Sequence, residues 1–432
     1  MSDWLPQEAG ENSLWAETAS MAPDLPVLTG EHQADVLVVG AGFTGLSTAL
    51  HLAERGRSVA LVEAGRVGFG GSGRNAGLVN AGVWKTPEHV CGKLGEEAGQ
   101  RFNQALRDSP EAVFSLVERL GIDCQARRCG TLHIAHSSAG LDYLRERCRQ
   151  LAAIGADVEL LDGGAAKTLS GSPAYRYGAI LHADAGTIQP LSYVRGLASA
   201  AIAAGVVINQ ESPLKGLART SDGWQGVTDG GRIDAGQVVL ATNAYADAGS
   251  AGVQESTLPV YIFHFATAPL PADLAASIIP ERHGLWDTHT LLTSSRIDAD
   301  GRLVMSFPGR LQAGQRPTRE GWATRRRDHL YPQLRGIPWA HAWTGRIGVT
   351  RNNILRVQRP EPGIFAPAGF NGRGIGTGTV IGQRLAELLD GGNDADFPFP
   401  LEPLARESFR GPRAAWYDLG TLTLQAVSQR LG

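Results

Sequence analysis

The sequence predicts an α/β protein with one domain on a buried parallel sheet and a second domain rich in β-strands. Three observations carry this prediction. The apolar run DVLVV (35–39) leads directly into a glycine-rich turn and a helical pattern, and a second strand, SVALVE, closes the unit at Glu63. Strands of the same buried kind return late in the chain, at 237–245 and 363–370. Between them, 257–343 is strand-rich but lacks the glycine-rich turns. At 432 residues, two domains and a large core are expected.

Residues 1–33 read as an N-terminal arm. The opening MSDWLPQEAGENSLW carries Asp3, Glu8 and Glu11 and no apolar run, so no secretory signal is expected. The first β-α-β unit follows. A run that is apolar at every position fits a parallel strand covered on both faces. In the turn, Gly40 allows the tight bend, Gly42 lets the backbone approach a pyrophosphate, and Gly45 lets the helix pack close on the strand. Phe43 and Thr44 open that helix, whose N-terminus offers unpaired N–H groups and a positive dipole end to phosphate. Glu63 ends the second strand with 17 residues between it and Gly45, placed for ribose hydroxyls. An acid there favours a free 2′-hydroxyl, hence FAD or NAD rather than NADP. The unit is Rossmann-like.

Ala64 and Arg66 lead into Gly68-Phe-Gly-Gly-Ser-Gly-Arg-Asn-Ala-Gly77. So many glycines cannot hold a regular element, and the segment reads as a second phosphate cradle. Ser72, Arg74 and Asn75 are its expected donors, with Gly73, Ala76 and Gly77 giving close backbone approach. From 86 to 185 the chain is mixed, with helical periodicity at 96–120 and 138–154. GTIQP (186–190) precedes a small-residue helix ending at Gly205, then a strand, a hairpin and QVVLATNAY (237–245). That last strand, carrying Thr242, is expected to return to the first sheet beside the cofactor. LPVYIFHFAT, HTLLTSS and GRLVMSF are read as strands of the substrate domain.

AWTGRIGVTRNN (342–353) and GIFAPAGFNGRGIGTGTVIGQRLAELLDGG (363–392) form the last block. GIFAPAGF reads as a strand and GQRLAELL as part of a helix opening near Thr377–Thr379. The turn between them, Asn371 to Gly378, feeds a helix N-terminus suited to the negative charge a reduced flavin develops at its N1–C2=O edge. Gly372, Arg373, Gly374, Ile375, Gly376 and Thr377 are its expected cofactor contacts, with Gly345 from the preceding block. The resulting division is 34–85, 186–248 and 344–395 for the cofactor domain, 86–185 and 249–343 for the substrate domain, and 396–432 for a C-terminal tail.

Charge and cysteine content exclude other classes. Asp plus Glu number 43 against 40 Lys plus Arg, a net charge of −3, so no nucleic-acid partner is expected. Lysine occurs only at 85, 93, 167 and 215, an arginine bias read as codon usage rather than a binding surface. Four cysteines, none in CxxC pairs, fit reduced thiols in a cytoplasmic protein. The spacing Cys124, Cys129, His133, His136 faintly resembles a zinc site, but TLHIAH reads as a strand whose alternation parts the two histidines. No metal is expected. The tail YDLGTLTLQAVSQRLG either packs on its own domain or, as an amphipathic helix, makes peripheral contact with the inner face of the membrane.

Four markers in order, GAGFTG…Glu63, GFGGSGRNAG, VVLATNAY and WTGRIG…GFNGRGIGTG, span 35–392. Through them the chain resembles the FAD-dependent amine and amino-acid oxidases that include glycine oxidase, sarcosine oxidase and D-amino-acid oxidase. The wording is nearest the gamma-glutamylputrescine oxidase and L-pipecolate oxidase branches. The resemblance implies FAD and hydride transfer from the α-carbon of an amine to flavin N5. An imine then leaves and hydrolyses, and electrons pass to oxygen or a quinone chain. A secondary amino acid of the L-pipecolate type is the expected substrate, with gamma-glutamylputrescine or another polyamine derivative as the alternative. A non-catalytic FAD-binding subunit of a larger complex is the reading from another class.

The sequence departs from sarcosine oxidase at two points. The lysine that holds substrate carboxylate there is Gly376 here, and all four cysteines precede residue 149, so noncovalent FAD is expected. The resemblance places His264, in VYIFHFAT, over the flavin face. Arg373 stands where the family has a histidine, to steady anionic flavin or bind a carboxylate. Arg310 and Arg346 are weaker candidates for the carboxylate.

Overall fold

The computed structural model describes residues 13–247 and 249–428. DVLVV is the inner half of the strand Gly30–Val39, and its Val36–Val39 are buried on both faces. That strand pairs in parallel with Val59–Val62 on one side and Gly231–Leu240 on the other. Sheet order runs Leu401–Pro403, Arg356–Arg359, Ile364–Ala368, Gly231–Leu240, Gly30–Val39, Val59–Val62, Val207–Asn209, with the hairpin Gly216–Arg219 and Trp224–Val227 continuing from Gly231–Leu240. The helices Phe43–Glu54, Pro190–Ala203 and Gly374–Leu389 bury their apolar sides in one core with this sheet.

The second sheet has eight strands among the described residues, ordered Trp339–Val349, Leu258–Thr267, Leu303–Pro308, Ser294–Ile297, Gly284–Asp287, Thr131–Ile134, Ala179–His182, Val158–Leu161. All its pairings are antiparallel except Gly284–Asp287 with Thr131–Ile134. Leu258–Thr267 pairs with Trp339–Val349 along nearly its whole length.

Several expectations change. The boundary at 344 falls inside Trp339–Val349, which lies wholly in the second sheet. The helical periodicity at 96–120 is carried by two helices, Glu96–Arg107 and Ser109–Leu120, divided at Asp108. Their Phe102, Leu106, Val113, Phe114 and Val117 enter the core of the first sheet, so these helices pack with the cofactor domain rather than the substrate domain. HTLLTSS is mostly a loop. The Asp287 carboxylate accepts N–H bonds from His289 and Thr293, folding 288–293 back before the strand Ser294–Ile297 starts. The strand of QVVLATNAY ends at Leu240, and Asn243–Tyr245 is a 3₁₀ turn.

One long helix, Arg316–Leu330, lies in a region read as strands, and the helix expected in the tail, Arg410–Val427, begins earlier than the expected segment. The latter packs one side on Arg316–Leu330 and on Leu258–Thr267. Among the described residues, no helix is long and apolar enough to cross a membrane.

Candidate active site

A cavity of about 600 Å³, within the usual range for cofactor and ligand sites, runs from the first glycine turn to the second sheet. The N-termini of Phe43–Glu54 and Gly374–Leu389 both open onto it. These two helices pack directly on each other, and glycine makes that possible: a Cβ on Gly382 would lie 2.5 Å from Ser47 Cβ.

Many predicted residues line this cavity: Gly40, Gly42, Phe43, Thr44, Glu63, Ala64, Ser72, Arg74, Asn75, Ala76, Thr242, His264, Gly345, Gly372, Arg373, Gly374 and Ile375. Glu63 is fixed by the backbone around it. One carboxylate oxygen accepts from Ala41 N at 2.7 Å and the other from Gly65 N at 2.9 Å. Burial pushes its pKa up, and the backbone donors of Gly65, Ala41 and Ala64 oppose that shift. The Ser72 hydroxyl accepts from Phe43 N at 3.0 Å, tying the second glycine cluster to the first helix and leaving its own proton to donate. Thr242 Oγ1 and Asn80 Oδ1, both on the cavity wall, have no hydrogen-bond partner among the described residues.

Other expected roles move. Arg74 and Asn75 line the cavity but are spent on their own surroundings. Arg74 Nε donates to Phe69 O at 2.6 Å and Nη1 to Thr344 O at 3.2 Å. Asn75 Nδ2 donates to Gly71 O and Ser72 O, and its Oδ1 accepts from Gly77 N, so it braces the loop rather than a phosphate. Arg66 points to solvent beside Glu211, outside the cavity. Gly45, Gly73, Gly77, Gly376 and Thr377 do not line it either. They are positions of close packing. A Cβ on Gly45 would lie 2.0 Å from Gly40 O, on Gly73 2.2 Å from Gly68 O, and on Gly77 2.3 Å from Arg296 Nη1. A side chain at Gly376 would meet Ser109, which rules out a substrate-binding lysine there, and Thr377 donates back to Arg373 O within its helix. The four cysteines are free thiols, none on the cavity wall. The strand Thr131–Ile134 stops before His136, and among the described residues no group of three His, Cys, Asp or Glu could hold a metal.

The substrate end is built around Arg373. Its guanidinium lies between two indoles, 4.7 Å from the Trp84 ring and 5.1 Å from the Trp286 ring. Nη1 donates to Ala81 O at 2.6 Å, while Nε and Nη2 have no partner among the described residues. Burial and the neighbouring Arg147 cation press its pKa down to about 9, which still leaves it charged near neutral pH. Arg147, itself fully buried, donates to Trp84 O and Val83 O and so fixes the loop that carries Trp84. His133 stacks on the far side at 5.0 Å from Trp286. Trp84, Trp286 and Arg147 were not anticipated. Trp84 and Trp286 lie outside every motif, and Arg147 sits in Ser138–Ala153 among other charged residues.

His264 is buried, stacked on Trp343 at 5.0 Å and 12°, with Nδ1 2.7 Å from Ser306 Oγ. Burial, reinforced by Arg74, drops its pKa to about 3, so the imidazole is neutral. Of the weaker candidates, Arg346 lines the cavity over the Tyr245 ring, whereas Arg310 lies over Tyr261 outside it.

This arrangement fits FAD. A half-buried acid stands at the end of the second strand, two helix N-termini face one cavity, and glycines sit where side chains would fill the space. Comparison with known proteins agrees. A family model described as FAD dependent oxidoreductase (DAO) matches residues 35–388. The chain is 30% identical over 420 residues to gamma-glutamylputrescine oxidoreductase of Escherichia coli K12, covering 94% of this chain and 97% of that one. It is 27% identical to glycine oxidase of Geobacillus kaustophilus, covering 83% and 93%. The crystal structure of that organism's glycine oxidase superposes with a TM-score of 0.69 at 25% identity, over 87% of this chain and 99% of that one. The chain belongs to the FAD dependent oxidoreductase (DAO) family, as its glycine turns, strand-end Glu63 and paired helix N-termini lead one to expect.

Proposed function

We propose that the protein oxidises the C–N bond of an amine or amino acid bearing a carboxylate, with Arg373 as the carboxylate receptor. One observation carries this reading: a buried, charged guanidinium on the cavity wall with Nε and Nη2 unpartnered among the described residues. A buried cation without a counter-ion is costly, and a bound carboxylate relieves that cost with two parallel charge-assisted bonds.

The bound FAD supplies acceptance of a hydride from the carbon bearing the nitrogen. The N-terminus of Phe43–Glu54 would hold the pyrophosphate, Glu63 the ribose, and the N-terminus of Gly374–Leu389 the negative edge of the ring system. Trp84 and Trp286 flank the guanidinium and keep water from it. His264, neutral and fixed by Ser306, gives the cavity a polar wall without adding charge. No dedicated base is needed, because the substrate nitrogen reacts unprotonated and the protein's work is to bind, orient and exclude water.

A compact secondary amino acid of the L-pipecolate type and gamma-glutamylputrescine both carry the carboxylate this reading requires. The likeness to gamma-glutamylputrescine oxidoreductase favours the second. Anaerobic titration of the purified holoprotein with L-pipecolate, proline, sarcosine, gamma-glutamylputrescine and putrescine tests both. Bleaching of the visible flavin band by a carboxylate-bearing compound, and not by putrescine, is the expected outcome. Bleaching by putrescine alone would remove Arg373 from its role. A flavin that none of them bleaches would favour the non-catalytic subunit. Oxygen uptake by the substrate-reduced protein, measured with and without added quinone, then separates the two acceptors.

A further inference from the structure

The closing helix, Arg410–Val427, is built inside out. Its protein-facing side is polar. Asp418 Oδ1 accepts from the buried Arg319 at 2.6 Å, Gln425 Oε1 accepts from Arg319 at 2.8 Å, and Gln425 Nε2 donates to Pro308 O at 3.0 Å. Thr421 is buried between them. Its outer side is apolar: Trp416 is 75% exposed, Leu419 62%, Leu424 50% and Val427 49%, with Phe409 79% exposed at the N-cap. Asp418, Thr421 and Gln425 follow i, i+3, i+7, while Trp416, Leu419, Leu424 and Val427 form a stripe on the opposite side. The helix cannot roll its apolar side inward, because that would strand the buried Arg319. Single exposed hydrophobes are ordinary, but four on one side of a single helix call for a partner.

The charges bordering the stripe say which partner. Arg406, Arg410 and Arg413 lie at the start of the helix. Arg310 sits beside it, its backbone N–H donating to Asp418. Beside these four arginines, Glu255 pairs with Arg406 and Glu407 with Arg413, while Asp418 is engaged by Arg319. This corner is basic in a chain whose net charge is −3. Arg410 and Arg413 also crowd the positive end of the helix dipole, where the first turn holds no acid. A cation there opposes helix stability unless an anion docks against it. A second copy fits poorly, because a two-fold interface would set this basic patch against itself.

We propose that this helix is a membrane-surface anchor, laying its apolar stripe into the acyl boundary of an anionic bilayer while the arginines meet headgroup phosphates. Tyr417 of the same helix lines the cavity, so docking brings the cavity rim to the lipid surface. The anchor is independent of which amine the cavity accepts.

The test is co-sedimentation of the flavin-loaded protein with phosphatidylcholine vesicles and with vesicles containing phosphatidylglycerol. Sedimentation with the anionic vesicles alone, reversed by salt, is expected. The double variant Trp416→Glu/Leu419→Glu should keep wild-type flavin content and melting temperature, because both side chains face outward, yet lose sedimentation by at least about tenfold. Arg406→Glu, which leaves the stripe intact, should weaken it partially. Absence of sedimentation, or equal sedimentation of the double variant, overturns the proposal. Light scattering covers the alternative: a wild-type dimer that the double variant converts to monomer, without vesicle binding, assigns the stripe to a second copy.

Discussion

At the residue scale, Arg373 and Glu63 make separable predictions. Arg373→Ala should raise KM for a carboxylate-bearing substrate by about thirtyfold or more, since losing one partner of a buried charge pair costs about 2–5 kcal/mol. It should scarcely change KM for an amine without a carboxylate. Arg373→Lys should recover only part of the loss, because an ammonium gives neither the fork nor the flat face between Trp84 and Trp286. Steady-state kinetics on both substrate types reads this directly, and equal KM changes for the two would sink it. Glu63→Gln keeps the shape, but its NH₂ must face either Ala41 N–H or Gly65 N–H. That mismatch is worth about 1–3 kcal/mol, so FAD should bind roughly five- to 150-fold more weakly, measured by flavin fluorescence on titrating the apoprotein. Arg373 was legible in the sequence, because it interrupts a recognisable glycine turn. Its indole walls were not, because Trp84 and Trp286 come from segments about 200 residues apart in the chain, joined only by folding.

At the scale of elements, the loop 288–293 shows how the second sheet shapes the cavity. Asp287 is fully buried, with Arg326 Nη2 at 2.7 Å and Tyr175 OH at 3.0 Å on one oxygen, and the N–H groups of His289 and Thr293 at 3.1 Å on the other. Thr290 and Leu292 of that loop line the cavity. Asp287→Asn removes the counter-charge of a nearly buried arginine and turns one acceptor into a donor, a change of about 3–5 kcal/mol. A lower melting temperature with raised KM, and a flavin content still at wild-type level, are expected. Loss of flavin instead would mean the loop also supports the cofactor. Gly45→Ala should do the reverse, since its Cβ would lie 2.0 Å from Gly40 O and force the helix off the strand. Protein carrying little or no flavin is the outcome to look for. Periodicity found the glycine-turn helix and missed Arg316–Leu330. The buried side of the latter includes Arg319 and Arg327 as well as Trp322, Ala323 and Leu330, so its inward stripe is not apolar. Hydrophobic spacing detects helices that bury carbon and overlooks those that bury paired guanidinium groups.

Across the whole molecule, the same chemistry divides what was readable from what was not. The first sheet is held by apolar strands and glycine turns that each carry a local signal, so its architecture and cofactor were legible. The second sheet gathers Thr131–Ile134 and Ala179–His182 from before the crossover with strands after 258, a pairing that no local signal encodes. That sheet also buries histidines beside its apolar core, and they make it sensitive to acid. Burial holds His182 and His264 at about 3 and His133 well below its usual value. Unfolded, each would titrate near its usual value of about 6.5. The unfolded chain therefore binds more protons below that pH, and the stability these groups contribute is complete above it and lost as pH falls towards about 3. Glu63 and Asp184, both raised by burial, act in the opposite sense, so a single histidine is best isolated by substitution. Neither ring nitrogen of His182 has a partner among the described residues, so His182→Phe removes a titration without removing a hydrogen bond. Denaturant unfolding of this variant should match or exceed wild type above neutral pH. Between about pH 6.5 and 5 its stability should fall less steeply, by up to about 1.4 kcal/mol per pH unit. Identical slopes for the two proteins would mean that His182 is protonated in the folded state, and that the packing around Trp286 admits a charge.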